Sequence, residues 1–356
     1  HRPFGTGGCD RRSIMRTGIP GQMNLPSLSH RLRGSFGEHS MPIGLVMRST
    51  GSRYLVRGAD GVRHMCVAKG NLRIKGWKST NPVAVGDRVE FTPAAETIGN
   101  ELVGAITGLH DRSNYIVRRS VNLSHHKHVI AANLDQALLL VTMARPRTSH
   151  GFIDRFLVTA EAYRVPCIII FNKVDDHGAV ELELLAEYQN AYHLAGYRTI
   201  ATSALTGTGI EEVKNALAGK VTLVAGHSGV GKSTLINAIA PDLDLPTFEV
   251  SEASEKGQHT TTYAEMFELD ATTFIIDTPG IKGFRLVDME AGEIVDQFPE
   301  MFRLKNDCRF NDCKHLDEPG CAVKAAVENG TIAASRYISY VDMLNGVEDE
   351  SPYRTD

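Results

Sequence analysis

The order of two short segments restricts this chain more than anything else in it. Asn172-Lys173-Val174-Asp175 comes first, and Gly226-His227-Ser228-Gly229-Val230-Gly231-Lys232-Ser233 follows. The second has the spacing G-x-x-x-x-G-K-[ST], behind the apolar run Val221–Ala225 and ahead of the helical run Thr234–Ala240. A strand that turns through such a loop into a helix wraps backbone N–H groups around phosphate, and the helix N-terminus favours the anion. Its glycines let the backbone approach without a Cβ in the way. Lys232 is expected to reach the β- and γ-phosphates and Ser233 to hold Mg²⁺, with Thr234 beside them at the helix start.

The first segment has the pattern N-K-x-D after the apolar run Val165–Phe171. The Asp175 carboxylate can accept from N1–H and the 2-amino group of guanine, a pair that adenine does not offer, so a buried match here rejects the wrong base. Lys173 would pack along the base plane, beside Asn172. Ser203-Ala204-Leu205 closes the next strand, where the Ala204 N–H would meet O6. Together these residues read as a site for GTP and GDP, and Asp175 argues against an ATP-dependent enzyme. The base half is encoded before the phosphate half, the reverse of the usual order. A doubly wound sheet tolerates such a circular permutation when the old termini are joined, here through Ile210–Lys220, and new ones open at surface loops.

Two further segments belong to this site. Asp277-Thr278-Pro279-Gly280 ends the apolar run Thr273–Ile276, so Asp277 could bind Mg²⁺ through water and the Gly280 N–H could contact the γ-phosphate. Gly257–Thr262 lies between the phosphate motifs, and a threonine there, Thr260 or Thr261, would complete the Mg²⁺ shell. The chain leaving Gly280 runs directly into the C-terminal region, so nucleotide state can move that region.

Periodicity supplies the frame. Apolar strands at Ala137–Thr142, Val165–Phe171, Thr199–Ser203 and Val221–Ala225 alternate with helical patterns around Ile153–Ala160, Val180–Tyr192 and Ile210–Ala218, which implies a parallel, doubly wound α/β sheet. Upstream, Pro42–Arg48, Arg53–Arg57, Val62–Val67, Gly86–Phe91 and Glu101–Leu109 read as five short strands of an OB-like barrel. The expected division is an arm over 1–40, disordered or non-native, a barrel over 41–111, a permuted GTPase domain over 112–290 and a C-terminal module over 291–356 that closes on a helix, Ile332–Met343. Charge follows the same division. Residues 1–130 hold 19 Lys and Arg against 8 Asp and Glu, whereas the remainder holds 19 against 34. A basic module on an acidic body suggests a polyanionic partner for the barrel. No apolar run approaches the roughly 18–20 residues of a membrane span.

Of six cysteines, three lie with a histidine in Cys308-x₄-Cys313-x-His315-x₅-Cys321. Three thiolates and one imidazole in so short a polar segment are the inventory of a closed, tetrahedral structural zinc site.

These segments together resemble the RsgA/YjeQ-type small ribosomal subunit biogenesis GTPases, from about residue 42 to the end. Asn71-Leu72-Arg73, Gly86-Asp87-Arg88-Val89 and Arg112-Ser113-Asn114-Tyr115 also look like segments of that family. The resemblance implies a monomeric protein of the bacterial cytoplasm. It would bind the small (30S) ribosomal subunit and its rRNA late in maturation, with GTP hydrolysis stimulated by the subunit. Arg48, Arg53, Arg57, Arg63, Lys69, Arg73, Lys75 and Lys78 of the basic barrel are then candidates for RNA phosphates, and Trp77 for a stacked base. The glutamine that orients water in Ras-like enzymes is replaced here by Ile281. The resemblance offers His259 in its stead as the catalytic group beside Lys232. Without such a group, the chain would be an adaptor in which GTP only sets conformation.

Overall fold

The computed structural model describes residues 41–69, 82–98, 101–119, 127–245, 264–277, 289 and 291–346. The N-terminal arm, Arg73, Lys75, Trp77, Lys78, the segment from Gly257 to Thr262, Gly280 and Ile281 lie outside them.

Five strands form the barrel: β1 (Ile43–Ser49), β2 (Tyr54–Gly58), β3 (Arg63–Ala68), β4 (Arg88–Ile98) and β5 (Glu101–Leu109). They run in the order β1-β2-β3-β5-β4, and β4 returns to pair with β1. The five strands read from the sequence are all present, β4 being longer than expected. Alternation places Val46, Tyr54, Val56, Cys66, Val89, Phe91 and Ile106 inside the barrel. The opposite face of β1 sends Leu45 and Met47 into the core of the next domain. β1 is therefore buried on both sides, as a strand shared between two layers must be.

A hairpin follows, β6 (Tyr115–Arg119) and β7 (Lys127–Ala132), which the sequence did not announce. It forms the joint that the Gly86-Asp87 and Arg112-Ser113-Asn114 segments build. Arg112 forks onto the buried Asp87 at 2.7 and 2.6 Å, and Asp87 also accepts from the Ala84 N–H at 2.7 Å. Asn133 donates to the Gly86 carbonyl at 3.0 Å and accepts from the Ser113 N–H at 2.9 Å. Gly86 sits at φ 87°, and a Cβ there would stand 2.1 Å from the Ala132 carbonyl oxygen. No other residue type fits this joint without moving it.

The α/β body contains β8 (Gln136–Val141), α1 (His150–Ala162), β9 (Cys167–Asn172), α2 (Ala179–Ala195), β10 (Arg198–Thr202), α3 (Ile210–Leu217), β11 (Val221–Gly226), α4 (Lys232–Ile239), β12 (Glu265–Glu268) and β13 (Phe274–Asp277). Strand order is β10-β9-β8-β11-β13-β12, parallel up to the last pair, where β12 is antiparallel to β13. The sheet then continues into the barrel, because β12 also pairs with β1. Successive residues of β8 face opposite layers. Ala137, Leu139 and Val141 meet α1 and α2, while Leu138 and Leu140 meet α3 and α4. Each such buried aliphatic side chain contributes about 1.5–3 kcal/mol. Ser149 caps α1 by accepting from the Phe152 N–H at 3.2 Å, and Gly196 ends α2 at φ 101°.

The C-terminal region holds α5 (Ala291–Ile294), α6 (Pro299–Phe302), α7 (Ala322–Glu328) and α8 (Ala334–Leu344). Phe298, Met301, Val323, Ile332 and Tyr340 pack there with Val158 of α1. The docking is also ionic. Arg336 of α8, fully buried, donates to Asp154 of α1 at 2.7 Å and to Glu300 of α6 at 2.7 and 3.2 Å. Among the described residues no helix is long and apolar enough to cross a membrane.

Candidate nucleotide site and metal cluster

β11 ends at Gly226 and α4 begins at Lys232, so the intervening residues form a loop at the C-terminal edge of the parallel sheet, where ligands of such folds bind. Gly226, Gly229 and Gly231 have φ values of 150°, 83° and 91°, which only glycine adopts freely. The Lys232 ammonium curls over the loop and donates to the carbonyls of Gly226 at 2.9 Å and His227 at 2.8 Å. Burial lowers its pKa, and Asp277 across the site acts the other way. Ser233 is half-buried and Thr234 exposed at the first turn of α4. Asp277, at the end of β13, is buried and sits beside β11 in register with Val224.

His227 is packed into the interior beside α1. Its ring lies 3.5 Å from that of Phe152 in α1 and is 2 % exposed. Burial, aided by the Lys232 charge, lowers its pKa to about 4. A neutral imidazole thus anchors the loop to the sheet's helical layer.

The base loop is tied to the phosphate loop through one side chain. The buried Asn172 at the end of β9 donates from Nδ2 to the Val230 carbonyl at 2.8 Å and accepts at Oδ1 from the Thr202 hydroxyl of β10 at 3.0 Å. A Cβ on Gly231 would come 2.6 Å from Asn172 Nδ2, so the glycine is required by this contact as well as by its φ. Lys173 is held at φ 64° and donates from Nζ to the Arg145 carbonyl at 2.7 Å. Burial lowers the Lys173 pKa, against the pull of Asp176. Asp175 is exposed, with its carboxylate available to a base edge. Arg145 pairs with Asp176 and closes the loop from outside. Ser203, fully buried, accepts at Oγ from the Thr206 N–H at 3.1 Å, which turns the chain so that Ala204 is half-exposed. The sequence named Asn172 as a candidate without its bond to Val230, and it did not single out Arg145, whose contacts with Lys173 and Asp176 are long-range.

The four metal candidates converge as their spacing suggests. The ligand atoms of Cys308, Cys313, His315 and Cys321 all lie within 4.8 Å of one another. His315 Nδ1 stands 3.5 Å from Cys308 Sγ and 3.4 Å from Cys321 Sγ, and these two sulfurs are 4.0 Å apart. Around a tetrahedral Zn²⁺ with ordinary bond lengths, S···N and S···S separations are about 3.6 and 3.8 Å. The donor set and its spacing fit zinc, with His315 presenting Nδ1. Supporting bonds fix the loop: Tyr337 donates to the His315 carbonyl at 2.6 Å, and Tyr340 to that of Lys314 at 2.8 Å. Glu318 accepts from the Lys314 and Leu316 N–H groups at 2.8 and 2.9 Å. Burial pushes the Cys313 thiol up to about 12, so without a cation it stays protonated at neutral pH. A bound cation inverts that preference.

Residues 109–287 match the family described as RsgA GTPase, and residues 43–100 the RsgA N-terminal domain. The chain is 52% identical over 313 residues to a small ribosomal subunit biogenesis GTPase RsgA of Flavobacterium psychrophilum, covering 88% of this chain and 95% of the relative. It is also 52% identical over 311 residues to RsgA 2 of Bacteroides thetaiotaomicron, covering 87% and 98%. Among solved structures, YjeQ from Thermotoga maritima superposes with a TM-score of 0.68 at 35% identity, covering 88% of this chain and all of that one. YloQ, described as a circularly permuted GTPase, gives 0.65 at 27% identity, covering 90% and 100%.

Proposed function

The chain belongs to the RsgA GTPase family, and from that premise we propose that it hydrolyses GTP on the small ribosomal subunit, late in the subunit's maturation. It is a GTPase, and a circularly permuted one with an OB-like barrel. Its relatives carry the name small ribosomal subunit biogenesis GTPase, which supports the choice of partner. The working division is a barrel over 41–111 that meets rRNA phosphates, a GTPase body over 112–290 and a zinc-stabilised module over 291–356, in a monomer of the bacterial cytoplasm.

The observation that carries the catalytic reading is the Asn172 bond to Val230. It holds a guanine-reading loop and a phosphate loop as one site although they stand far apart in the chain. In this reading, Asp175 selects guanine by accepting from its N1–H and 2-amino group. Lys173 lies along the base, and the Ala204 N–H beside Ser203 meets O6. The N–H groups of Gly226 to Ser233 and the start of α4 at Thr234 cradle the phosphates. Lys232 leaves the two loop carbonyls that it now contacts and donates to the β- and γ-oxygens, stabilising charge as it develops. Ser233, Asp277 and one of Thr260 or Thr261 would hold Mg²⁺, which supplies charge neutralisation at the phosphates. The Gly280 N–H contacts the γ-phosphate. His259 orients the attacking water when the subunit is bound. Cys308, Cys313, His315 and Cys321 would hold Zn²⁺ with no open position, so that metal stabilises the fold and takes no part in the chemistry.

The test is GTP turnover by the purified chain, alone and with small or large subunits. A many-fold rise with small subunits only is expected, and His259→Ala should lose that rise while still binding GTP. Turnover indifferent to subunits would remove the ribosomal assignment. An unchanged rise in His259→Ala would remove His259 from the chemistry.

A further inference from the structure

β12 joins the barrel to the nucleotide site. It is four residues long and lies between β1 and β13. One row of paired residues therefore runs Arg48, Glu265, Asp277, Val224 across four strands, from the barrel to the phosphate-loop strand. Side chains reinforce the row. Arg48 meets Glu265 at 3.5 Å. Arg57 of β2 forks onto Glu268, with Nε to Oε2 at 3.0 Å and Nη2 to Oε1 at 2.9 Å. The Arg57 guanidinium also lies 6.0 Å from the ring centroid of Phe274, the first residue of β13. Arg57 thus grips both β12 and β13, which ends at Asp277. The sequence offers Arg48 and Arg57 to RNA phosphates; the structure pairs the Arg57 guanidinium with Glu268, whereas Arg48, 40% exposed, makes a single 3.5 Å contact with Glu265.

The fork is mostly covered, its side chains being 14% and 24% exposed. A bidentate arginine–carboxylate pair fixes direction as well as distance, which a single charge contact does not. A second attachment, the Arg112–Asp87–Asn133 joint, holds the barrel beside the start of β8. The barrel is thus attached by the β1–β12 pairing, by Leu45 and Met47 in the shared core and by this joint, and β12 with its fork is the attachment that leads to Asp277.

We propose that Arg57 and Glu268 are positioning residues for hydrolysis, coupling RNA occupancy of the barrel through β12 to Asp277 and the nucleotide. This rests on the subunit-stimulated reading above. The coupling is reciprocal, so the nucleotide must alter the barrel's affinity for RNA by the same factor that RNA alters nucleotide affinity. The effect of Arg57 and Glu268 comes from differential stability of the fork in the two states.

The experiment compares the full-length wild type, Glu268→Gln, Glu268→Arg and the exchanged pair Arg57→Glu/Glu268→Arg. Each is assayed for GTP turnover with and without purified small subunits. Subunit binding is measured with GDP and with a non-hydrolysable GTP analogue, and melting temperature reports folding. Glu268→Arg should lower stimulated kcat at least ~5-fold, within the usual range of allosteric coupling. Its unstimulated turnover and its subunit binding with GDP should remain near wild type. The exchanged pair should regain most of the stimulation. An unstimulated wild type would overturn the subunit reading and this proposal with it. A stimulated wild type matched by both Glu268 variants would overturn the coupling alone. Equal loss of subunit binding in both nucleotide states would also overturn it, because that is the mark of a damaged contact surface.

Discussion

Replacing Arg336 by methionine should release the C-terminal module from the GTPase body. Arg336 is the cation between two acids, Asp154 and Glu300, and all three are nearly inaccessible to water. Its guanidinium also lies 4.5 Å from the Phe298 ring centroid. Methionine retains much of the volume but leaves both carboxylates buried without their cation. Removing one partner of a buried pair costs about 3–5 kcal/mol, chiefly as the penalty of the charge left behind, and two such charges put the cost at the upper end. At roughly 2–4 °C per kcal/mol for a domain of 150–250 residues, the melting temperature should fall by about 10 °C or more. Local opening should appear first, as faster hydrogen exchange in α8 and α6 than in β8 or β11. The triple variant Asp154→Asn/Glu300→Gln/Arg336→Met should recover much of the loss, because it removes the stranded charges. If Arg336→Met melts within about 2 °C of wild type, a shift of 1 kcal/mol or less, with α8 still protected, the reasoning is wrong.

Three further outcomes follow from the sites. Asp175→Asn should weaken GTP binding by about 10²-fold or more and favour xanthosine triphosphate, whose 2-oxo group accepts from the new amide; competition titrations with both nucleotides check this. Chelation, or Cys313→Ser, should release close to one equivalent of zinc and lower the melting temperature, while GTP binding at low temperature persists; zinc content and calorimetry measure it. The nucleotide-free protein should lose stability on acidification because of His227. Its pKa is about 4 when folded against about 6.5 unfolded, so the unfolded chain takes up the proton first between those values. The stabilisation is complete above about pH 6.5 and falls by about 2 kcal/mol at pH 5. His227→Gln should flatten the dependence of melting temperature on pH in that window, and an unchanged slope would show that His227 is not its source.

The parts legible in the sequence were those whose chemistry demands particular residue types at fixed local spacing. Gly226–Ser233, Asn172–Asp175 and the Cys308–Cys321 cluster are of this kind, and the apolar runs of β8, β9 and β11 are equally local. The rest depends on partners far along the chain. β12 reads Glu-Met-Phe-Glu, too short and too charged for any period to identify. It is a strand because β13 and β1 flank it. Arg336 looks like a surface residue of an amphipathic helix until Asp154, 182 positions earlier, is placed against it. Arg57 alternates correctly for an outward-facing barrel residue, and only the arrival of Glu268 turns it into part of a joint. Asn172 belongs visibly to a base-reading motif, but its bond to Val230 exists only once β11 has inserted beside β8.

That insertion bears on how the chain is made. β8 lies between β9 and β11, and Gln136 bonds to Thr222, 86 positions later. During synthesis at ~5–20 residues per second, β8 waits about 4–17 s for its second neighbour. Throughout that interval its backbone N–H and C=O groups and its fully apolar flanks form an open edge. The nascent base-reading half therefore emerges as a template, and the edge that admits β11 will admit any other extended segment that reaches it first.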